Sequence, residues 1–411
     1  MPLPKERRGA LLGSARPRRA FKYGKRVSRV GTRQAMSVNH SGHKLREELP
    51  AHSRALGFDL IGATSHLIPK HFDAFERWLN AGMAGSMDYL HKQNRNHLRL
   101  VLEDARSAIV VGVGYTSENL PDAIRRDPSR GIIASYAGGE DYHPWMLSRL
   151  EKLAERIREF APELHFRAYV DTGPVLERDF ASQAGLGFIG KNACMIHPRR
   201  GSFFFLGVLI TNLELPARTD PMEISCGNCT RCLEACPTGA LVAPYVLDAR
   251  RCISYWTIEQ KGAIPHEFRP LIGNRVFGCD ECQLACPWNQ KFARPTTIPA
   301  FQTSLERRTP NLTALTSLSD KEFKARFEKS AILRAKRRGL LRNVAIALGN
   351  WGSGDALAPL KTLIEDSEPL IRSHAAWALG RIGGEGQQLL RRMRKKETDE
   401  EVRSEIDAAL Q

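Results

Sequence analysis

Four cysteines fall within eleven residues at "CGNCTRCLEACPTGA", Cys226 to Ala240, spaced C-x2-C-x2-C-x3-C with a proline directly after the last. A second set follows at Cys252 and then at Cys279, Cys282 and Cys286 in "CDECQLACP", again closed by Cys-Pro. No other feature restricts the fold so strongly, because the rest of the chain must bring these thiols together. Eight of the nine cysteines lie between 226 and 286, and Cys194 stands alone. No apolar stretch follows the basic N-terminus, so no secretory signal is expected and the setting is expected to be the cytoplasm. In a reducing compartment, clustered thiols indicate metal in place of disulfides.

In the bacterial two-cluster run, three closely spaced cysteines bind one cubane and the fourth reaches across to the other. By that logic Cys226, Cys229, Cys232 and Cys286 hold one 4Fe–4S cluster. Cys236, Cys252, Cys279 and Cys282 hold the second. This second set departs from the compact repeat, because 26 residues separate Cys252 from Cys279. Structural zinc is the alternative. Its sites normally use paired C-x2-C knuckles, often with histidine, and no knuckle stands alone here. Two adjacent clusters make a wire for single electrons, so the chemistry they serve is expected elsewhere in the chain.

The chain divides by composition. Residues 1–35 hold eleven Lys or Arg and one acid, Glu6, which is +10 of the total +16. This leader has no apolar period and many helix breakers, and is expected to be disordered and dispensable, with Met36 as the working start. Residues 36–217 read as an α/β domain. "HKLREELPAHSRALGFDLIGAT" is an amphipathic helix running into a strand, and "HFDAFERWLNAG" and "HPWMLSRLEKLAERIREFA" are helices. Strands are expected at 108–115, 167–170, 193–196 and 203–210. The apolar runs "AIVVGVGY" and "FFFLGVLI" suit buried strands and are far too short to cross a membrane. Residues 218–300 form the cysteine-rich, ferredoxin-like segment. In 301–411, "RNVAIALGNWG" recurs as "RSHAAWALGRIG" and then as "EVRSEIDAAL", with Arg372 and Arg403 separated by 31 residues. Alanines at helical spacing and a fixed period imply stacked HEAT-like helical hairpins. The fold class is therefore α+β with a helical tail, whose "RAKRRG" and "LLRRMRKK" offer charge to an anionic partner.

Three local patterns mislead. "GLGFIG" at Gly185 with Lys191 resembles a phosphate loop. However, the helix "PVLERDFASQA" precedes it and a strand follows, the reverse of the nucleotide-binding order. "DYHPWM" begins like a cobalt-ligating histidine box, but Met146 replaces its glycine. A wall or orienting role is therefore expected for Tyr142 and His143. Cys194, beside an apolar run, is expected to be an inert buried thiol.

Taken together, "YVDTGPVLERDFASQAGLGFIGKN", "GEDYH", "SFFFLG", both cysteine sets, "RCISYWT" and "IGNRVFGCDECQLACPWN" closely resemble the epoxyqueuosine reductase family, from about residue 40 to the end. The chain is more distantly similar to reductive dehalogenases. The resemblance implies reduction of epoxyqueuosine to queuosine at the tRNA wobble position, with the epoxide oxygen leaving as water. It implies cobalamin and two 4Fe–4S clusters as cofactors, with no histidine below the cobalt. It implies Asp171, of the D-T-G motif, as proton donor. It also implies cobalamin contacts at Arg95, Ala134, Asp171, Met195, Leu206, Ser254, Cys279 and Asp280. The partners it implies are the anticodon stem-loop of a tRNA carrying epoxyqueuosine and a low-potential electron donor such as a flavodoxin or ferredoxin. No membrane is expected, and the protein is expected to be a monomer.

Two rival readings are an electron-transfer module and a dehalogenase acting on a small halogenated substrate. A pure carrier has no use for the first 215 residues, and a basic repeat tail does not suit the dehalogenase. Asp171 follows a strand-like run, and polar residues at strand ends line the pockets of α/β domains. Partial desolvation there is expected to push the carboxyl toward its protonated form.

Overall fold

The computed structural model describes residues 38–116, 119–215 and 224–411, with side chains from residue 47 onward. The basic leader lies outside the described residues. Ten strands form, in chain order: β1 (Leu60–Thr64), β2 (Ser107–Gly114), β3 (Ile132–Ile133), β4 (Phe166–Tyr169), β5 (Phe188–Ile189), β6 (Met195–Ile196), β7 (Phe204–Thr211), β8 (Leu241–Ala243), β9 (Val246–Leu247) and β10 (Arg275–Phe277). The principal sheet has the order β1-β2-β7-β4. All three of its pairings are antiparallel.

The apolar runs of β2 and β7 bury both faces of this sheet. Ile109, Val111 and Val113 alternate with Ala108 and Val110 and feed separate cores. The helix Tyr142–Arg158 covers one face through Met146, Leu150, Leu153 and Ile157. The helix Glu177–Gln183 covers the other through Phe180 and Ala181. The expected pocket rule came from parallel sheets. Here the helices cover an antiparallel sheet, so the end of β4 must be judged from its own contacts.

A short parallel pair, β3 with β10, ties the first half of the chain to the cysteine segment. Five helices follow at Lys336–Trp351, Leu357–Ile364, Pro369–Ile382, Glu385–Arg394 and Glu400–Ala409. The repeating "ALG" has a steric cause. A Cβ on Gly349 would lie 2.8 Å from Ala378 Cα, and one on Gly380 would lie 2.7 Å from Ala409 Cβ. Only glycine lets these helices approach so closely.

The helix Lys336–Trp351 is rooted in the cysteine segment. Arg342, fully buried, donates to the carbonyls of Trp256 (2.5 Å), Gly262 (2.7 Å) and Gln260 (2.9 Å). Asn343 donates to the carbonyls of Val276 (2.8 Å) and Thr257 (2.9 Å). No carboxylate neutralises Arg342 among the described residues. Burial, with Arg338 and Arg269 nearby, pulls its pKa down to about 9. Much of the positive charge read along the tail is already paired, as Arg337 with Asp366, Arg372 with Glu397 (2.8 Å) and Arg394 with Asp407 (2.6 Å). Arg391, Arg392, Lys395 and Lys396 remain exposed.

His374 predicts a pH dependence. Its Nε2 accepts from the Ile264 N–H (3.1 Å) and its Nδ1 donates to the Leu370 carbonyl (2.8 Å). Burial, helped by Arg269 and Arg342, holds its pKa well below the usual value. A depressed histidine contributes stability that is complete above its unfolded pKa of about 6.5 and is lost as pH falls below it. The urea midpoint of wild type should therefore drop between pH 7 and pH 5 by more than that of His374→Gln. Equal drops would remove His374 as the cause.

Candidate functional site

Beyond β4 the chain turns sharply at Val170 and Asp171. Asp171 takes a left-handed φ of 59°, a conformation aspartate tolerates better than most residues. The Thr172 N–H donates back to the Val170 carbonyl at 2.6 Å. The Asp171 N–H donates to Glu177 Oε1 at 2.6 Å. The Tyr142 hydroxyl donates to Asp171 Oδ2 at 2.8 Å, and His143 Nε2 lies 3.6 Å from the same oxygen. His143 Nδ1 is bonded to Asp141 Oδ1 at 2.6 Å. Asp141 also caps the helix Tyr142–Arg158, which therefore starts by delivering Tyr142 and His143 to Asp171. The Tyr142 ring is stacked between His143 and Phe205, at 4.0 Å and 3.9 Å.

These contacts decide where the protons reside. Burial opposes charge on His143, but Asp141 and Asp171 outweigh it and raise its pKa to about 9. Burial pushes the Asp171 carboxyl up. Against it act the hydrogen bond and charge of His143, the Tyr142 hydroxyl and the Arg334 guanidinium, and together they hold it below its usual value. This reverses the expectation that desolvation would leave Asp171 protonated. Its side chain is 55% exposed and its partners are cationic or donating. Burial and the Asp171 charge together push Glu177 well up, so of the two carboxyls Glu177 is the more reluctant to ionise. At neutral pH the group holds a carboxylate at Asp171 and an imidazolium at His143.

Of the other residues expected at the site, four are brought together. The β3–β10 pairing continues as the Ala134 N–H donating to the Phe277 carbonyl (2.8 Å), which sets Ala134 against the turn into Cys279 and Asp280. Gly278 makes that turn with a φ of 71°, and a Cβ there would lie 2.6 Å from Ala134 Cβ. Asp280 is buried, and its carboxylate accepts from the Ser135 N–H (2.7 Å) and hydroxyl (2.8 Å) with Arg308 at 3.7 Å, so it joins two segments of the protein. Ser254 hydrogen-bonds the Cys252 thiol. Met195 and Leu206 belong with Phe204 and Val208 on the face of the sheet covered by Glu177–Gln183. Arg95 donates to the carbonyls of Leu90 (2.8 Å) and Gln93 (3.0 Å) in its own loop, and Tyr89, which it feels, lies within reach of the Asp171 and Arg334 charges.

The sequence reading passed over Tyr136, which bridges two of these regions. Its ring packs edge-on to Tyr142 at 6.4 Å and lies 3.5 Å from the Gly278 Cβ position. Glu177 and Arg334 were also missed, although both sit in quoted motifs. Only the folded chain shows that they reach Asp171.

The thiols fall into two neighbourhoods. Burial pushes Cys232 up to about 11, with Cys226 and Cys286 adding to it. Burial likewise raises Cys279 to about 12, with Cys252 close enough to contribute. Cys252 in turn feels Cys236, and Cys282 feels Cys279 and Cys252. Backbone N–H groups point at sulfur, from Ala240 to Cys236 (3.2 Å) and from Lys191 to Cys226 (3.4 Å). Buried thiols this reluctant to ionise need a compensating positive centre to act as thiolates, which iron supplies. The all-sulfur donor set and the N–H···S bonds fit cubanes. Among the described residues no three His, Cys, Asp or Glu side chains converge on one metal ion. Cys194 is not an isolated thiol. It lies against Cys282 and shares a hydrogen bond with it.

On the Asp171 side, His143 is not free to act as a metal ligand. Both nitrogens of His143 face carboxylates, and none faces open space.

Family models match three stretches of the chain. "Epoxyqueuosine reductase QueG, DUF1730" matches residues 95–172. A 4Fe-4S double cluster binding domain matches residues 225–289, and HEAT repeats match residues 330–411. The epoxyqueuosine reductase of Pseudomonas aeruginosa is 43% identical over 344 residues, covering 83% of this chain and 95% of its own. That of Escherichia coli K12 is 39% identical over 340 residues, covering 82% and 89%. The crystal structure of an epoxyqueuosine reductase with a tRNA-Tyr epoxyqueuosine-modified stem loop superposes with a TM-score of 0.82 at 34% identity, covering 90% of this chain and 98% of that one.

Proposed function

The chain belongs to the epoxyqueuosine reductase family, an oxidoreductase family, and from that premise we propose that it removes the epoxide oxygen of epoxyqueuosine in the anticodon loop of a tRNA, using cobalamin and two 4Fe–4S clusters. The observation that carries this reading is the convergence of Tyr142, His143 and Glu177 on Asp171. Tyr136 and Ala134 link that group to Cys279. We assign residues 36–217 to the catalytic domain, 218–300 to the cluster domain and 301–411 to tRNA binding. Cys226, Cys229, Cys232 and Cys286 would hold one cluster, and Cys236, Cys252, Cys279 and Cys282 the other. Ala134, Met195, Leu206, Ser254, Cys279, Asp280 and Asp171 would line the cobalamin site, with Arg95 shaping the loop beside it. When bound, cobalamin supplies a strong low-potential reductant, and the clusters supply it with electrons one at a time.

The chain's own residues handle the proton. Asp171, a carboxylate at rest, stands at the reacting end and relays a proton to the departing oxygen. His143, held between Asp141 and Asp171, is the source of that proton. Tyr142 fixes the Asp171 carboxylate by its 2.8 Å hydrogen bond. Arg334, paired with Glu259 at 2.8 Å, lies close enough to lower the Asp171 pKa and would face the nucleotide phosphates. No helix among the described residues is long and apolar enough to cross a membrane.

The test is turnover of an epoxyqueuosine-bearing stem-loop by anaerobically reconstituted protein given cobalamin and dithionite. Queuosine should form. Changing Arg391, Arg392, Lys395 and Lys396 together to alanine should weaken stem-loop binding and flatten its salt dependence, because each lost phosphate contact removes about 0.7–0.9 from the log–log slope. Failure to form queuosine would reject the activity. Unchanged affinity and slope would remove these four residues from the tRNA surface.

A further inference from the structure

Cys226 and Cys286 pack in one apolar cluster with Phe188, Ile196 and Trp288, whereas Cys279 follows the Phe277 carbonyl that accepts from Ala134. Residues 224 and 225 and the Gly227–Asn228 turn are exposed. Three large apolar side chains stand in solvent around this turn, Tyr245 at 51%, Val242 at 46% and Ile224 at 41% exposure. They are contiguous with it. The Tyr245 N–H donates to the Lys191 carbonyl (2.9 Å), and Lys191 Nζ donates to the carbonyls of Gly227 (2.7 Å) and Cys229 (3.0 Å). Val242 faces outward from β8, which hairpins into β9 through Tyr245. The rim is basic. Exposed Arg231 opens the short helix Arg231–Glu234 two residues after Cys229, and exposed Lys291 lies on the helix that starts directly after Cys286. Among the described residues no carboxylate pairs with either, and the nearby acid, Glu234, is hydrogen-bonded to the Thr230 hydroxyl.

We infer that this face is the docking site for an acidic one-electron carrier protein. An apolar centre with a charged rim suits a transient partner, and the rim's sign selects an acidic one. A single-electron relay also needs its outer centre near the surface. An RNA would use the cations and have no use for the exposed Ile224 and Val242. The inference rests on the Cys226 group holding a cluster.

The probe is purified reduced flavodoxin, titrated against the reconstituted full chain. Arg231→Glu should weaken binding roughly tenfold at low salt, with the difference fading by about 0.5 M salt, as screening requires. Val242→Ser, at an exposed side chain, should weaken it roughly threefold with no change in salt slope. Iron content and dithionite-driven turnover should match wild type in both. Carrier affinity within twofold of wild type in both variants would overturn the assignment. So would an equal loss of stem-loop affinity, which would give the face to RNA. Absence of dithionite-driven turnover in wild type would instead strike at the reductase reading alone.

Discussion

Asp171→Asn should leave iron content, the visible spectrum of bound cobalamin and stem-loop affinity unchanged while lowering epoxide reduction by about a hundredfold or more, the usual worth of a placed acid. Asparagine suits the test, because it keeps the size of the side chain and tolerates the left-handed φ of 59° at this turn. It can still accept from the Tyr142 hydroxyl, but it cannot give up a proton as an acid. The pH profile supplies a second reading. His143 keeps its proton until about pH 9. Because its folded pKa is raised, the charged form is present through neutral pH and is lost as pH rises through that value. Wild-type turnover should therefore fall on a basic limb near pH 9, and the residual activity of the variant should lack that limb. Near wild-type turnover by Asp171→Asn would remove the proton-donor role.

Cys252→Ser should halve the reconstituted iron, from about eight to about four atoms per chain, and abolish turnover. The affected group is Cys236, Cys252, Cys279 and Cys282, the one beside Ala134 and Ser254. Its loss would break the relay at the step nearest the reaction, leaving the Cys226 group able to accept electrons and unable to pass them on. Rapid reduction of the remaining cluster by dithionite, without product, is the expected signature. Retention of all eight irons would show that Cys252 is not a ligand.

Much of this site could be read from residue order, and the rest could not, for identifiable reasons. Cysteine spacing pointed beyond the compact run, because a short C-x2-C-x2-C turn cannot close four thiols on one cage and must borrow from elsewhere, and Cys232 does feel the distant Cys286. Helix and strand positions followed from apolar periodicity, as with Met146, Leu150 and Leu153 on one helical face. The antiparallel order of the sheet did not follow, because alternation in β2 and β7 is the same in either direction. The protonation of Asp171 was read in the wrong direction. Desolvation can be guessed from an apolar neighbourhood, but the opposing charge comes from His143, 28 residues earlier in the chain, and from Arg334, far beyond it. Asp280 likewise appears free in "FGCDEC" and is bound in the fold to Ser135 and Arg308.

Arg342 and Asn343 imply an order of events in time. The ribosome releases Cys226 through Cys252 first, then Cys279 through Cys286, and only about sixty residues later the helix whose guanidinium and amide hold the carbonyls of Trp256, Thr257 and Val276. Until that helix emerges, the segment between Cys252 and Cys279 has no partner for those carbonyls and no fixed path. Once Cys286 has emerged the Cys226 group has all four of its thiols and can be loaded, but the second cage must wait for the repeats. Iron delivery to this chain is thus expected to be finished after synthesis, on a nearly complete polypeptide, and a message truncated within the repeats should yield a protein starved of iron at its inner centre.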